Sequence, residues 1–177
     1  PDGRVIVSDF SAAMVAAAER HAAALGIDNV EFRVLDAQRL DLPDDAVDVV
    51  VCRWGYMLMA DPGAALAESR RVLRPGGRFV FSTSHPVRWA FPDDPGTAGL
   101  TAMTSYFDRT PYVEREAGMV TYAEHHRTLG DLVRQVVAAG LVLTDVVEPE
   151  WPEHNASVWG GWSPLRGALL PGTLIVV

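Results

Sequence analysis

VIVSDFSAAMV, residues 5–15, decides how the chain is read. Val5–Ser8 is a short apolar run rich in β-branched residues, the pattern of a strand buried on both faces. It stops at Asp9, and Ser11 stands two positions later as N-cap for a helix over Ala12–Leu25. In open α/β sheets, ligands bind beyond the carboxyl ends of the strands. Asp9 therefore sits where such a protein keeps its ligand.

Further along, the same grammar repeats. Met14, Ala18, His21 and Leu25 recur at helical spacing as the expected inner stripe, and Gly26 closes the helix. Val30–Leu35 alternates like a strand and again ends on an aspartate, Asp36; Val47–Cys52 reads as another fully buried strand. Asp61 and Pro62 open a helix with an N-cap carboxylate and a proline in the first turn, and Ala65, Leu66, Ser69, Val72 and Leu73 form its inner stripe. Pro75-Gly76 has type II turn chemistry and leads into a strand over Arg78–Ser82. Residues 85–125 hold prolines, glycines and aromatics without a sustained period. Thr128 and Asp131 then make a capping-box start to a helix whose inward residues are Leu129, Leu132, Val133, Val136 and Val137, with Gly140 at its end. Strands over Leu141–Val147 and Thr173–Val177 complete a strand–helix alternation that specifies a mostly parallel sheet with helices on both faces.

Composition narrows the partners. The chain has 177 residues, half of them apolar, enough for one domain with a real core. A net charge of −8 argues against nucleic acid and against an anionic membrane surface. No apolar run reaches the roughly 18 residues of a membrane span, and no signal peptide is visible, so the expected location is the cytoplasm. A single cysteine, Cys52, excludes a disulfide framework and a thiolate metal cluster.

Either Asp9 or Asp36 alone reads equally well as a turn or capping residue. Their shared placement at consecutive strand ends favours a ligand. The stretches VSDFSAAMV (7–15), FRVLDAQRLDLPDDAVDVVVC (32–52) and LRPGGRFVFS (73–82), in this order and spacing, resemble a class I S-adenosylmethionine-dependent methyltransferase. They are most similar to the group that contains the ubiquinone and menaquinone ring methylases. The resemblance is close over residues 1–84 and looser over 129–147 and the final strand. It implies a Rossmann-like seven-stranded sheet, mostly parallel with the last strand antiparallel, formed by 1–84 and 127–177, with 85–126 inserted as a substrate lid. It implies S-adenosylmethionine as cofactor: Asp9 on the ribose, Phe10 flanking the adenine, Asp36 and Ala37 at the adenine edge, Arg53 near the methionine end. It assigns the Arg74-Pro75-Gly76-Gly77 turn no cofactor contact.

One element of that pattern is missing. The family's glycine-rich loop follows its first, central strand and is expected upstream of Gly3. A sheet without its middle strand exposes two long edges, so the expectation is that the natural protein is longer and that these residues alone are unstable or inactive. Two rival readings stand beside the methyltransferase. One is a nicotinamide-dependent oxidoreductase, which also places an acid at its second strand end. The other is a methyltransferase-like domain that binds without catalysing.

Methyl transfer from a sulfonium gains mainly from near-attack positioning in a dry pocket, with a base where an oxygen or nitrogen nucleophile carries a proton. The ring-rich segment 85–126 suits a small apolar or aromatic acceptor. Trp89, Tyr106 and His126 are its candidate substrate-lining residues, although such rings also pack a lid's own core. His85, directly after the fifth family strand, is the candidate general base and reads equally as a structural histidine. His85, His126 and His154 follow no metal-ligand spacing, so no metal is expected. Trp151, Trp159 and Trp162 read as a cavity wall, a subunit contact in a homodimer, or core plugs.

Overall fold

The computed structural model describes residues 3–177. β1 (Val5–Asp9) and β2 (Val30–Val34) run parallel, Val5 opposite Val30 and Asp9 opposite Val34, joined by α1 (Ala12–Ala24). α1 begins where expected, with the Ser11 hydroxyl accepting from the Met14 N–H. Its buried side is different: Val15 and Ala22 face inward, while Met14 and Leu25 are exposed. In so alanine-rich a helix several stripes are apolar, and packing against β1 and β2 selects among them.

A second sheet has the order β3-β4-β8-β7, from β3 (Val47–Arg53), β4 (Leu73–Ser84), β7 (Val146–Val147) and β8 (Thr173–Val176). β3 and β4 are parallel, and β8 runs antiparallel to both β4 and β7. Asp61 caps α2 (Pro62–Val72), accepting from the Ala64 N–H, and all five expected inner residues are buried. α3 (Leu129–Ala138) starts on the full Thr128–Asp131 capping box. Its inward side is Leu132 and Val136, with Val137 turned outward.

The register explains the core. Val50, Cys52, Phe79, Phe81, Leu174 and Val176 share one face of this sheet, where Leu66, Leu132, Val136 and Tyr56 close on them. Val49 and Val51 point to the other face and stand 54% and 71% exposed. The expectation that Val47–Cys52 is buried on both faces is thus corrected: α2 and α3 cover one face only. β1 departs in the same way, with Val5 48% exposed.

Two turns also differ from expectation. Pro75-Gly76 is a bulge within the continuous β4, where the register jumps from Val47–Leu73 to Val49–Arg78 and Gly76 takes φ +79°. The strand expected over Leu141–Val147 shrinks to Val146–Val147, because Thr144 and Asp145 turn their N–H groups onto the Val177 carbonyl. Within 85–126, β5 (Tyr112–Glu116) and β6 (Met119–Glu124) form a hairpin across Ala117 and Gly118, both at positive φ. A one-turn α4 (Pro164–Gly167) lies in the tail. The class is α/β as expected, with its strands in three sheets, β1-β2, β3-β4-β8-β7 and the β5-β6 hairpin. No helix among the described residues is long and apolar enough to cross a membrane.

Candidate functional site

Parallel pairing places Asp9 and the residues after β2 at the same end of the first sheet. Two hydrogen bonds carry that end to the second sheet: the Asp61 N–H donates to Gln38 Oε1 at 3.0 Å, and the Leu40 N–H donates to Glu68 Oε2 at 2.8 Å. The N-terminus of α2 and the segment after Asp36 therefore adjoin.

Asp9 is half-buried, and its Oδ1 accepts from the Ser11 N–H at 2.8 Å. Oδ2 has no hydrogen-bond partner among the described residues, so one carboxylate oxygen is tied down and the other is presented. Phe10 beside it is 76% exposed. Asp36 is exposed and accepts from the Gln38 N–H at 2.9 Å, while Ala37 packs on the main core. This donor set fits a ribose and a purine: an oriented carboxylate for hydroxyl groups, an exposed ring, and a short residue beside a second acid.

At the carboxyl end of β3 the chain makes a strained turn. Trp54 takes φ +57°, a left-handed conformation that a bulky residue adopts only when its surroundings hold it there. Its N–H donates to the Ser82 carbonyl. A cavity of about 660 Å³ opens at this point, bounded by Arg53, Trp54, Trp151, Trp159, Trp162 and Thr173. Trp54 and Trp159 meet edge to face, 5.9 Å apart at 75°. Trp151 donates its indole N–H to the Asn155 carbonyl and packs close against Gly167, where a Cβ would come within 2.4 Å of the ring. Trp162 is buried with the Arg166 guanidinium carbon 4.6 Å from its ring centroid. Arg53 and Glu150 are the only charged side chains in the lining. The tail tryptophans thus form a wall, one of the three uses their sequence allowed. Trp54 belongs to the Cys52-Arg53-Trp54 strand end, which the sequence marks as one of three ends with suggestive groups, but the sequence assigns it no role of its own.

The lid candidates behave otherwise. His126 is 3% exposed, its ring 5.2 Å from Trp89 and 5.6 Å from Tyr106, and its Nε2–H donates to the Tyr106 carbonyl. Burial pushes its pKa below the ordinary histidine value, partly offset by that hydrogen bond. Tyr106 Oη accepts from the Leu129 N–H at the start of α3. Trp89 and Tyr106 thus pack on either side of the His126 contact within the segment.

His85 is held between two partners. It is 7% exposed, its Nδ1 accepts from the Val87 N–H at 3.1 Å, and its Nε2–H faces Glu148 Oε1 at 2.7 Å. Both nitrogens are engaged, leaving no lone pair for a substrate proton. Glu148, missed in the sequence, is the exposed member of the pair. Desolvation raises the Cys52 pKa against hydrogen bonds from the Gly55 and Tyr56 backbone, as expected of an unreactive buried thiol.

Residues 2–81 match the family described as methyltransferase domain. Over 88 residues the chain is 41% identical to the ubiquinone/menaquinone biosynthesis C-methyltransferase UbiE of Caulobacter vibrioides. The structure superposes on an S-adenosylmethionine-dependent methyltransferase from Mesorhizobium loti with TM-score 0.74 and 26% identity, covering 98% of this chain and 78% of that one. Over residues 2–81 the chain is similar to the class I S-adenosylmethionine-dependent methyltransferases, and its fold is that of one. Among further relatives, the demethylmenaquinone methyltransferase of Thermus thermophilus is 38% identical over 109 residues, 62% of this chain and 46% of that enzyme. The Caulobacter alignment covers 49% of this chain and 34% of that enzyme, so the chain spans about a third of the length of that curated relative.

Proposed function

We propose that this chain forms the cofactor-binding and acceptor-binding face of an enzyme that transfers a methyl group from S-adenosylmethionine to a small molecule. The observation that carries the reading is the presented Oδ2 of Asp9 at the end of a parallel pair, joined through Gln38 and Asp61 to the second sheet. In this reading Asp9 accepts hydrogen bonds from the ribose hydroxyls, Phe10 covers one face of the adenine, and Asp36 and Ala37 meet its edge. Arg53 lies where the methionine end adjoins the tryptophan cavity. When bound, the cofactor supplies an electrophilic methyl carbon on a sulfonium. The protein's contribution is to hold the acceptor in line with that carbon and keep water out. Residues 85–126 then serve as a lid built on their own aromatic core.

Calorimetric titration with S-adenosylhomocysteine tests this. Micromolar binding is expected of a chain extended upstream of Gly3, weakened roughly 10- to 100-fold by Asp9→Asn, the loss of a charge-assisted hydrogen bond. Asparagine keeps an oxygen for the Ser11 N–H, so α1 retains its start. Absence of binding by the folded, extended chain would refute the reading and favour a domain that binds other partners.

A further inference from the structure

The cavity's chemistry says more than that it is apolar. Four tryptophans line it, yet no histidine, cysteine, lysine or tyrosine does, and its only charged residues are Arg53 and Glu150. Behind Trp162 stands a third charge: Arg166, 2% exposed, donating to the Pro92 and Gly161 carbonyls, with no carboxylate within ion-pair distance among the described residues. Asp93 and Asp94 act on Arg166 and offset its charge, so the lining itself carries one guanidinium, Arg53, and one carboxylate, Glu150. The right-angled Trp54–Trp159 pair offers a face and an edge to a flat ring.

For a proton-bearing nucleophile the lining offers one base, the exposed carboxylate of Glu150. His85, whose backbone N–H donates to the Gly172 carbonyl of the lining, has both ring nitrogens engaged, and His154, between the lining residues Pro152 and Asn155, does not itself line the cavity. A phenol, with pKa near 10, stays protonated at neutral pH without a base. A carboxylate is already ionised, and a guanidinium fork matches its two oxygens.

We propose that the cavity receives a planar aromatic carboxylate, with its ring on Trp54 and Trp159 and its charge on Arg53, and that the methyl group goes to a carboxylate oxygen. The inference rests on the methyl-transfer reading for the word acceptor. An oxygen lone pair forms the new O–C bond as the S–C bond breaks, and the bonding pair stays on sulfur as a neutral thioether. No proton moves, so no base is needed. Anion and sulfonium become two neutral products, and a dry tryptophan-lined wall favours that loss of charge more than water does.

The test is calorimetric titration of the whole chain, without cofactor, using 2-naphthoate. Binding with Kd below about 1 mM is expected, at least tenfold tighter than 2-naphthol, cyclohexanecarboxylate or benzyltrimethylammonium. Trp159→Ala removes a ring that is 66% exposed, so folding is kept. Trp54→Asn replaces the other with a residue that tolerates positive φ. Each, and Arg53→Gln, should weaken 2-naphthoate about tenfold or more with an unchanged melting midpoint. Equal affinity in the variants, tighter binding of the ammonium or the naphthol, or no binding by the folded chain would overturn the assignment. Parallel titration of the extended chain with S-adenosylhomocysteine separates the two readings. Binding of that ligand without 2-naphthoate overturns this inference alone; the reverse result overturns the acceptor role through the methyl-transfer reading.

Discussion

At the scale of single residues, burial and hydrogen bonding decide which of two chemically similar candidates is usable. Asp9 and His85 both follow strand ends. Asp9 keeps an oxygen to offer, while His85 has spent both nitrogens on Val87 and Glu148. His85 is therefore a cap for the turn after β4. His85→Ala is expected to cost about 1–2 kcal/mol, as loss of a capping acceptor does, lowering the melting midpoint by on the order of 4 °C. His85→Asn, which can still accept from the Val87 N–H, should recover most of that loss. Affinity for S-adenosylhomocysteine should stay within about twofold in both; a tenfold loss without a melting shift would return His85 to the binding site. Sequence made Asp9, Asp36 and Arg53 visible because strand ends announce themselves locally. It could not pair Trp54 with Trp159, which only the closed fold brings together.

At the scale of elements, helices with strong end chemistry were legible and weakly patterned ones were not. Asp61–Pro62 and Thr128–Asp131 start α2 and α3 where the residues said. The inner face of α1 was misassigned because alanine carries little directional information. The β5–β6 hairpin was hidden among prolines and rings, although Gly118 in its two-residue turn was a signal. The capping box of α3 also carries a pH dependence. Burial would raise the Asp131 pKa, but hydrogen bonds from Thr128, Arg109 and Arg134 outweigh it and hold the group at about 2. A folded pKa below the unfolded value of 3.8 contributes stability above that pH, and the contribution is lost as pH falls towards 2. Asp131→Asn is expected to cost on the order of 1–2 kcal/mol at pH 7. It should cost much less at pH 2, so melting midpoints of the two proteins converge across the acid limb. Parallel melting curves down to pH 2 would count against this role.

At the scale of the whole molecule, the described chain consists of two unequal bodies. The β3-β4-β8-β7 sheet with α2 and α3 shares one cluster of ten buried residues, including Leu66, Phe81 and Leu174. The β1–α1–β2 unit has only Val15 and Ala22 buried in its helix and no strand partner outside itself. Its tether is polar: the Gln38–Asp61 and Leu40–Glu68 bonds, together with Arg71 of α2, which donates to the Leu40 and Leu42 carbonyls and to Asp44 and Glu68. Small apolar burial and exposed strand edges give low local opening free energies. Hydrogen exchange should therefore be non-uniform, with amides of β1 and β2 exchanging at least a hundredfold faster than those of β4 and β8. Arg71→Ala should accelerate exchange over residues 36–46 and through β1–α1–β2 while leaving β4 and β8 protected. Titration with S-adenosylhomocysteine should have the opposite effect. A ligand held by Asp9 and Asp36 on one body and by Arg53 on the other binds only the arrangement in which both are in place, and so suppresses the opening of the smaller one. Protection that rises in β1 and β2 with added ligand, and fails to rise in Asp9→Asn, would link the division of the fold to the site that spans it. Uniform protection without ligand would mean that the molecule unfolds as one unit and that the polar tether is stronger than its contacts indicate.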